Sequence, residues 1–70
     1  MHINLEWFEE LLAAYERAPH ECNDWQQRFI ESYSEKVEQY GDRTFVSSNQ
    51  LEQLNRIAKI YGIEEKTSEY

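Results

Sequence analysis

Cys22, His20 and His2 are the residues of this chain best suited to bond-making chemistry, and their spacing does not assemble it. A nucleophilic thiol needs a base within hydrogen-bond reach and donors aimed at the developing oxyanion. No glycine-rich turn near Cys22 supplies such donors. One cysteine and two histidines also fall short of a metal-ligand set. The adjacent carboxylates Glu9-Glu10 and Glu64-Glu65 do not converge on a substrate, because neighbouring positions on a helix point in different directions. No P-loop, dinucleotide fingerprint, EF-hand loop or zinc spacing is present. The expectation is a protein that is not an enzyme, with no catalytic residue, no cofactor and no metal. Cys22 reads as a small apolar filler and His20 as a surface histidine.

Any site must be positioned by very little chain. Seventy residues make one small domain, which buries only about 60% of the surface its unfolded form exposes. Such domains usually carry a staple. A single cysteine permits no internal disulfide, so dense aromatic packing or self-association must supply the stability. Two Trp, five Tyr and three Phe provide the first. The longest wholly apolar run, Leu11 to Ala14, is far below the roughly 20 residues that span a bilayer. The N-terminus lacks the basic and apolar regions of a secretory signal, and a lone free thiol suits a reducing compartment, so a cytoplasmic location is expected.

Charge narrows the partners. Fourteen acids against seven bases give a net charge of −7. Residues 1–40 hold nine acids and three bases, a net of −6, whereas residues 41–70 hold five and four, a net of −1. Phosphate binding is driven by cationic side chains, so direct binding of DNA or RNA is not expected. A protein partner with a basic surface is, including one that itself handles nucleic acid.

Apolar periodicity gives an all-α, compact three-helix domain, with helices over approximately 4–18, 24–40 and 48–61. Asn4 caps the first helix, Leu5, Phe8, Leu12 and Tyr15 form its apolar face with Leu11, and Pro19 ends it. Asn23 or Asp24 caps the second, and Gly41 follows it as a C′ residue. Trp25, Phe29, Tyr33, Val37 and Tyr40 form an inward aromatic stripe with Ile30, while Asp24, Glu31, Glu35 and Glu38 line the far side as an acidic ridge. Ser47 and Gln50 fit a capping box for the third helix, with Val46 stapled to Leu51. Leu51, Leu54, Ala58 and Tyr61 face the core with Ile57, and Gly62-Ile63 suit a Schellman close. The domain is expected over residues 1–63, with 64–70 a polar, frayed tail.

Three apolar residues fall outside the expected core: Trp7 at the edge of the first helix's apolar arc, Phe45 on a loop, and Ile60 pointing away from the third helix's face. They mark an exposed patch for a partner or a second copy.

Asn23-Asp24-Trp25, Phe29, Ser32, Gly41-Asp42-Arg43, Ser47, Gln50, Leu54 and Ile57 together resemble a short helical module appended to phage and prokaryotic DNA-processing proteins. Its pattern is W-x3-F-x2-S, a Gly/Arg turn, then L-S-x-x-Q-x3-L-x2-I. The resemblance covers residues 23–57, about half the chain. The module's Leu before the capping serine is Val46 here, and its basic residue before Gln is Asn49. The resemblance implies a non-catalytic piece working near replication, recombination or defence machinery. Combined with the acidic face, the expected function is a phage-type adaptor or inhibitor that binds a protein of nucleic-acid metabolism or host defence, as a nucleic-acid mimic. Glu6, Glu9, Glu10, Glu31, Glu35 and Glu38 would make the contact, with Trp7 as its apolar anchor. The alternative is a structural helical protein that homo-oligomerises.

Overall fold

The computed structural model describes residues 2–66. Helix α1 spans Leu5–Arg17, α2 Asp24–Tyr40 and α3 Ser48–Ile60, with single 3-10 turns at Pro19–Glu21 and Gly41–Arg43 in the two connections. The chain is thus an all-α three-helix domain, and no β-strand occurs among the described residues. No helix among them is long and apolar enough to cross a membrane.

Local chemistry fixes each helix end. The Asn4 side chain accepts the Trp7 amide at 2.9 Å. Asn23 and Gln26 form a reciprocal capping box: Asn23 Oδ1 accepts the Gln26 amide at 2.8 Å, and Gln26 Oε1 accepts the Asn23 amide at 3.0 Å. Ser47 and Gln50 repeat that arrangement at 3.2 and 2.9 Å. Each box satisfies two amides that the first helical turn would otherwise leave unpaired. Replacing Ser47 with Ala should therefore cost about 1 kcal/mol. In a domain this small the melting midpoint should fall by about 4–8 °C, read by circular dichroism.

At the other end of α3, Gly62 takes a φ of +70°. The Ile63 amide donates to the Ala58 carbonyl at 2.9 Å and the Gly62 amide to that of Lys59 at 3.2 Å. These are the two bonds of a Schellman close. Gly41 is the C-cap of α2 rather than its C′ residue, with φ +59° and ψ −134° and its amide on the Val37 carbonyl. That conformation is open essentially to glycine alone.

The core draws on all three helices. Trp7, Phe8, Leu11 and Tyr15 of α1 meet Ile30 and Tyr33 of α2 and Leu51, Leu54, Ile57 and Ala58 of α3. Val46 and Leu51, the expected staple pair, are both buried in this cluster. Ile3, Cys22 and Val46 close it from the connections. Ile3 is placed by an isolated antiparallel bridge between His2 and Phe45, in which the Ile3 amide donates to the Thr44 carbonyl at 2.8 Å. Thr44 is also buried, and its hydroxyl donates to the Gly41 carbonyl at 2.7 Å.

Two expectations about this core are corrected. Trp7 is 5% exposed and belongs to the core, whereas Leu5 and Leu12 of the expected stripe are only half-buried. The apolar arc of α1 is thus centred on Trp7, Phe8, Leu11, Ala14 and Tyr15. In α2 only Ile30 and Tyr33 are buried. Phe29 and Val37 are half-buried, while Trp25 and Tyr40 are 52% and 56% exposed. The reason is length. Seventeen residues make α2 about 25 Å long, against about 20 Å for each 13-residue neighbour. The first and last turns of α2 therefore receive less cover.

Candidate functional site

Asp24, Glu31, Glu35 and Glu38 are all exposed along α2, separated by seven, four and three residues and so on one side of the helix. The only ion pairs among the described residues are His20–Glu21 at 3.5 Å and Arg56–Glu52 at 3.3 Å. The ridge carboxylates therefore have no cation within ion-pair distance among the described residues. Arg28, on the same helix, turns its Nε to the Asp24 carbonyl at 3.5 Å.

Glu31 is held in place. The Tyr15 hydroxyl donates to Glu31 Oε2 at 2.6 Å and ties α1 to α2. Beside this bond lies an open cleft of about 490 Å³, walled by Leu12, Tyr15, Glu16, Gln27, Glu31 and Ser34. Burial, then the bond to Glu31, pushes the Tyr15 hydroxyl up to about 12. Burial also raises Tyr33 and Tyr61, Tyr61 with help from its bond to Cys22. A folded-state pKa above the unfolded one means stability that is complete below the unfolded value of about 10 and lost as pH rises through the folded one. The chain should thus stay fully stable to about pH 10 and unfold progressively toward pH 12. Absorbance at 295 nm and circular dichroism, followed together, check this: the tyrosinate formed by Tyr15, Tyr33 and Tyr61 should appear together with helix loss.

Four of the seven residues proposed from sequence are divided between two clefts. Glu6 and Glu10 flank the rim of Trp7 around a smaller cleft of about 190 Å³ that Glu64 and Lys66 also line. Glu31 faces the α1–α2 cleft with Glu16 instead. Glu9, Glu35 and Glu38 are exposed and line neither of these two clefts. Trp7 cannot be an exposed anchor. Its ring is in the core, and its indole N–H donates to the Glu64 carbonyl at 2.6 Å.

A second surface feature was not foreseen. Trp25 stacks on Phe29 with ring centroids 5.1 Å apart and planes at 12°. Phe29 tilts against Tyr33 at 5.2 Å, and Lys36 Nζ lies 5.0 Å from the Tyr33 ring centre. The Tyr33 hydroxyl reaches the Phe45 carbonyl at 3.4 Å. A row of rings thus runs inward from exposed Trp25 through Phe29 to buried Tyr33, which meets Phe45, 63% exposed, through the Phe45 carbonyl. Phe45 and Ile60 are on the surface, as their positions in the sequence implied.

Cys22, His20 and His2 are not brought together. Cys22 is buried with Sγ 3.3 Å from the Tyr61 hydroxyl, which itself donates to the Ala18 carbonyl at 2.8 Å. The thiol is therefore the donor in that contact. His20 lies on the surface beside Glu21, and His2 pairs with Phe45. No group of three His, Cys, Asp or Glu among the described residues could hold a metal ion.

Fold and surface together define an all-α domain whose middle helix carries carboxylates on one side and exposed rings on the other. No family model, no curated protein and no solved structure matches the chain.

Proposed function

We propose that this protein is a non-enzymatic adaptor or inhibitor that binds a basic protein surface through the acidic side of α2, occupying a groove that would otherwise hold nucleic acid. The observation that carries this reading is the row Glu31, Glu35 and Glu38, exposed and without a cation in ion-pair distance among the described residues. A helix rises 1.5 Å per residue, so these charges repeat about every 4.5–6 Å along the axis. That is the same order as the separation of charges along a nucleic-acid strand, one per 3.4 Å of axis. Glu31 is already fixed by Tyr15, so less side-chain freedom is lost when it is bound. Glu6, Glu9 and Glu10 extend the negative field over α1 and contribute to steering rather than to the contact itself. A phage or mobile-element setting follows from the resemblance of residues 23–57 to modules of DNA-processing proteins, and with it a cytoplasmic partner in replication, recombination or defence.

Affinity capture from bacterial lysate at low and high salt tests this. The immobilised chain should retain a basic protein at about 50 mM salt and release it as screening shortens the reach of its field. Capture that does not depend on salt would remove the acidic row from the interaction.

The exposed Trp25, Tyr40, Phe45 and Ile60 favour a second reading, homo-oligomerisation. Thermal midpoints that rise with protein concentration would support it. A monomer in sedimentation, with a midpoint independent of concentration, would exclude it.

A further inference from the structure

Residues 63–66 carry no helix or turn, yet they are bound back onto the domain along the seam between α1 and α3. Trp7 Nε1 donates to the Glu64 carbonyl at 2.6 Å. Asn55, on α3, takes both main-chain groups of one residue: its Nδ2 donates to the Lys66 carbonyl at 2.5 Å, and its Oδ1 accepts the Lys66 amide at 2.8 Å. All three bonds read main chain only, so none depends on which side chains the bound segment carries. The side chains meet two clefts of different charge. Glu65 and Lys66 line one of about 480 Å³ with Lys59, Arg56 and Glu52, the last two ion-paired at 3.3 Å, while Lys66 also borders the cleft that Glu6 and Glu10 line.

We propose that this seam is a docking track for an irregular peptide segment, and that residues 64–66 occupy it in cis. The trans occupant is a segment of a partner protein carrying an acidic residue followed by a basic one. Its main chain replaces that of 64–66 on Trp7 and Asn55. Its acid faces Lys59, the cation of that cleft not already paired among the described residues, and its base faces Glu6 and Glu10. The cis segment competes, so the apparent affinity of the track is its intrinsic affinity reduced by the fraction of molecules in which 64–66 has lifted off. Glu31, Glu35 and Glu38 take no part, so this inference stands or falls separately from the proposed function.

The test uses a fluorescein-labelled peptide of residues 62–68 of this chain and the full-length protein. Lys66→Pro removes the amide that Asn55 accepts and leaves every residue of the track intact. It should bind the peptide at least tenfold more tightly than wild type by fluorescence anisotropy. Adding Asn55→Ala should abolish that gain, and a peptide with Lys66→Glu should bind several-fold more weakly. Amide exchange on the unaltered protein gives an independent measure: the Lys66 amide should exchange through an opening that leaves Ile57 and Ala58 protected. Equal peptide binding by wild type and Lys66→Pro, or no loss with Asn55→Ala, would overturn the proposal. So would exchange of Lys66 only at the rate of Ile57 and Ala58.

Discussion

Phe8→Ala should leave the chain unfolded at 25 °C. Phe8 is completely buried, its ring centre lies 6.5 Å from that of Tyr33, and the surrounding cluster joins all three helices. Truncating a buried Phe to Ala costs about 3–5 kcal/mol, through lost transfer free energy and the cavity left behind. A single core in a domain of this size rarely supplies more than about 3–5 kcal/mol of net stability. The loss therefore equals the whole margin. Far-UV circular dichroism should show most helical signal gone, and amide resonances should collapse to the narrow range of an unfolded chain. Ile57→Val, at another fully buried site, removes one methylene for about 0.5–1.5 kcal/mol and should remain folded with a lower midpoint. A cooperative melt in Phe8→Ala within a few degrees of wild type would mean that the three helices do not share one core.

Reversing Glu35 and Glu38 to Lys should weaken partner capture by about 10- to 100-fold at low salt, and much less at high salt. Each reversal adds two charges, so the net charge moves from −7 to −3. Both residues are exposed and neither makes an ion pair, so folding should change by less than about 0.5 kcal/mol. Glu31→Lys is a less clean probe, because it also removes the acceptor of the Tyr15 hydroxyl, at a cost of about 1 kcal/mol. The comparison is retention of the same basic protein on immobilised wild-type and double-variant chains across a salt series. Equal retention at about 50 mM salt, with both chains folded, would rule out the α2 ridge as the binding surface.

Features set by neighbouring residues were legible in the sequence. The caps at Asn4 and Ser47, and the close at Gly62-Ile63, depend on side chains and amides within five positions. Helix bounds follow from them: 24–40 is reproduced, the first helix is shorter by one residue at each end, and the third by one at its C-terminal end. The Asn23–Gln26 box was equally available, since Asn is as good an N-cap as Ser and the Gln stands at the same spacing. Core membership on α3 was legible because a helix flanked on one side has a single apolar stripe. Leu51, Leu54, Ile57 and Ala58 are all buried.

What was missed depends on distant chain. Sequence spacing puts Trp7 at the edge of its helix's apolar arc, because its indole partner is a carbonyl 57 positions away. Ile3 is buried only because His2 pairs with Phe45 across the fold. The aromatic stripe of α2 follows the correct helical spacing, but spacing cannot say how far the neighbouring helices extend, so Trp25 and Tyr40 were assigned to the interior. The acidic row was legible as a row. That Glu6 and Glu10 stand apart from Glu31 required the packing of α1 against the rest.

The two tryptophans occupy opposite environments, one enclosed with its N–H bonded and one half in water. Their emission therefore separates. Trp7 contributes the shorter-wavelength component, shielded from aqueous quenchers such as iodide, while Trp25 contributes the longer-wavelength, quenchable one. Without any attached dye, the blue part of the spectrum follows the lifting of residues 64–66, and the red part follows whatever settles on the rings of the middle helix.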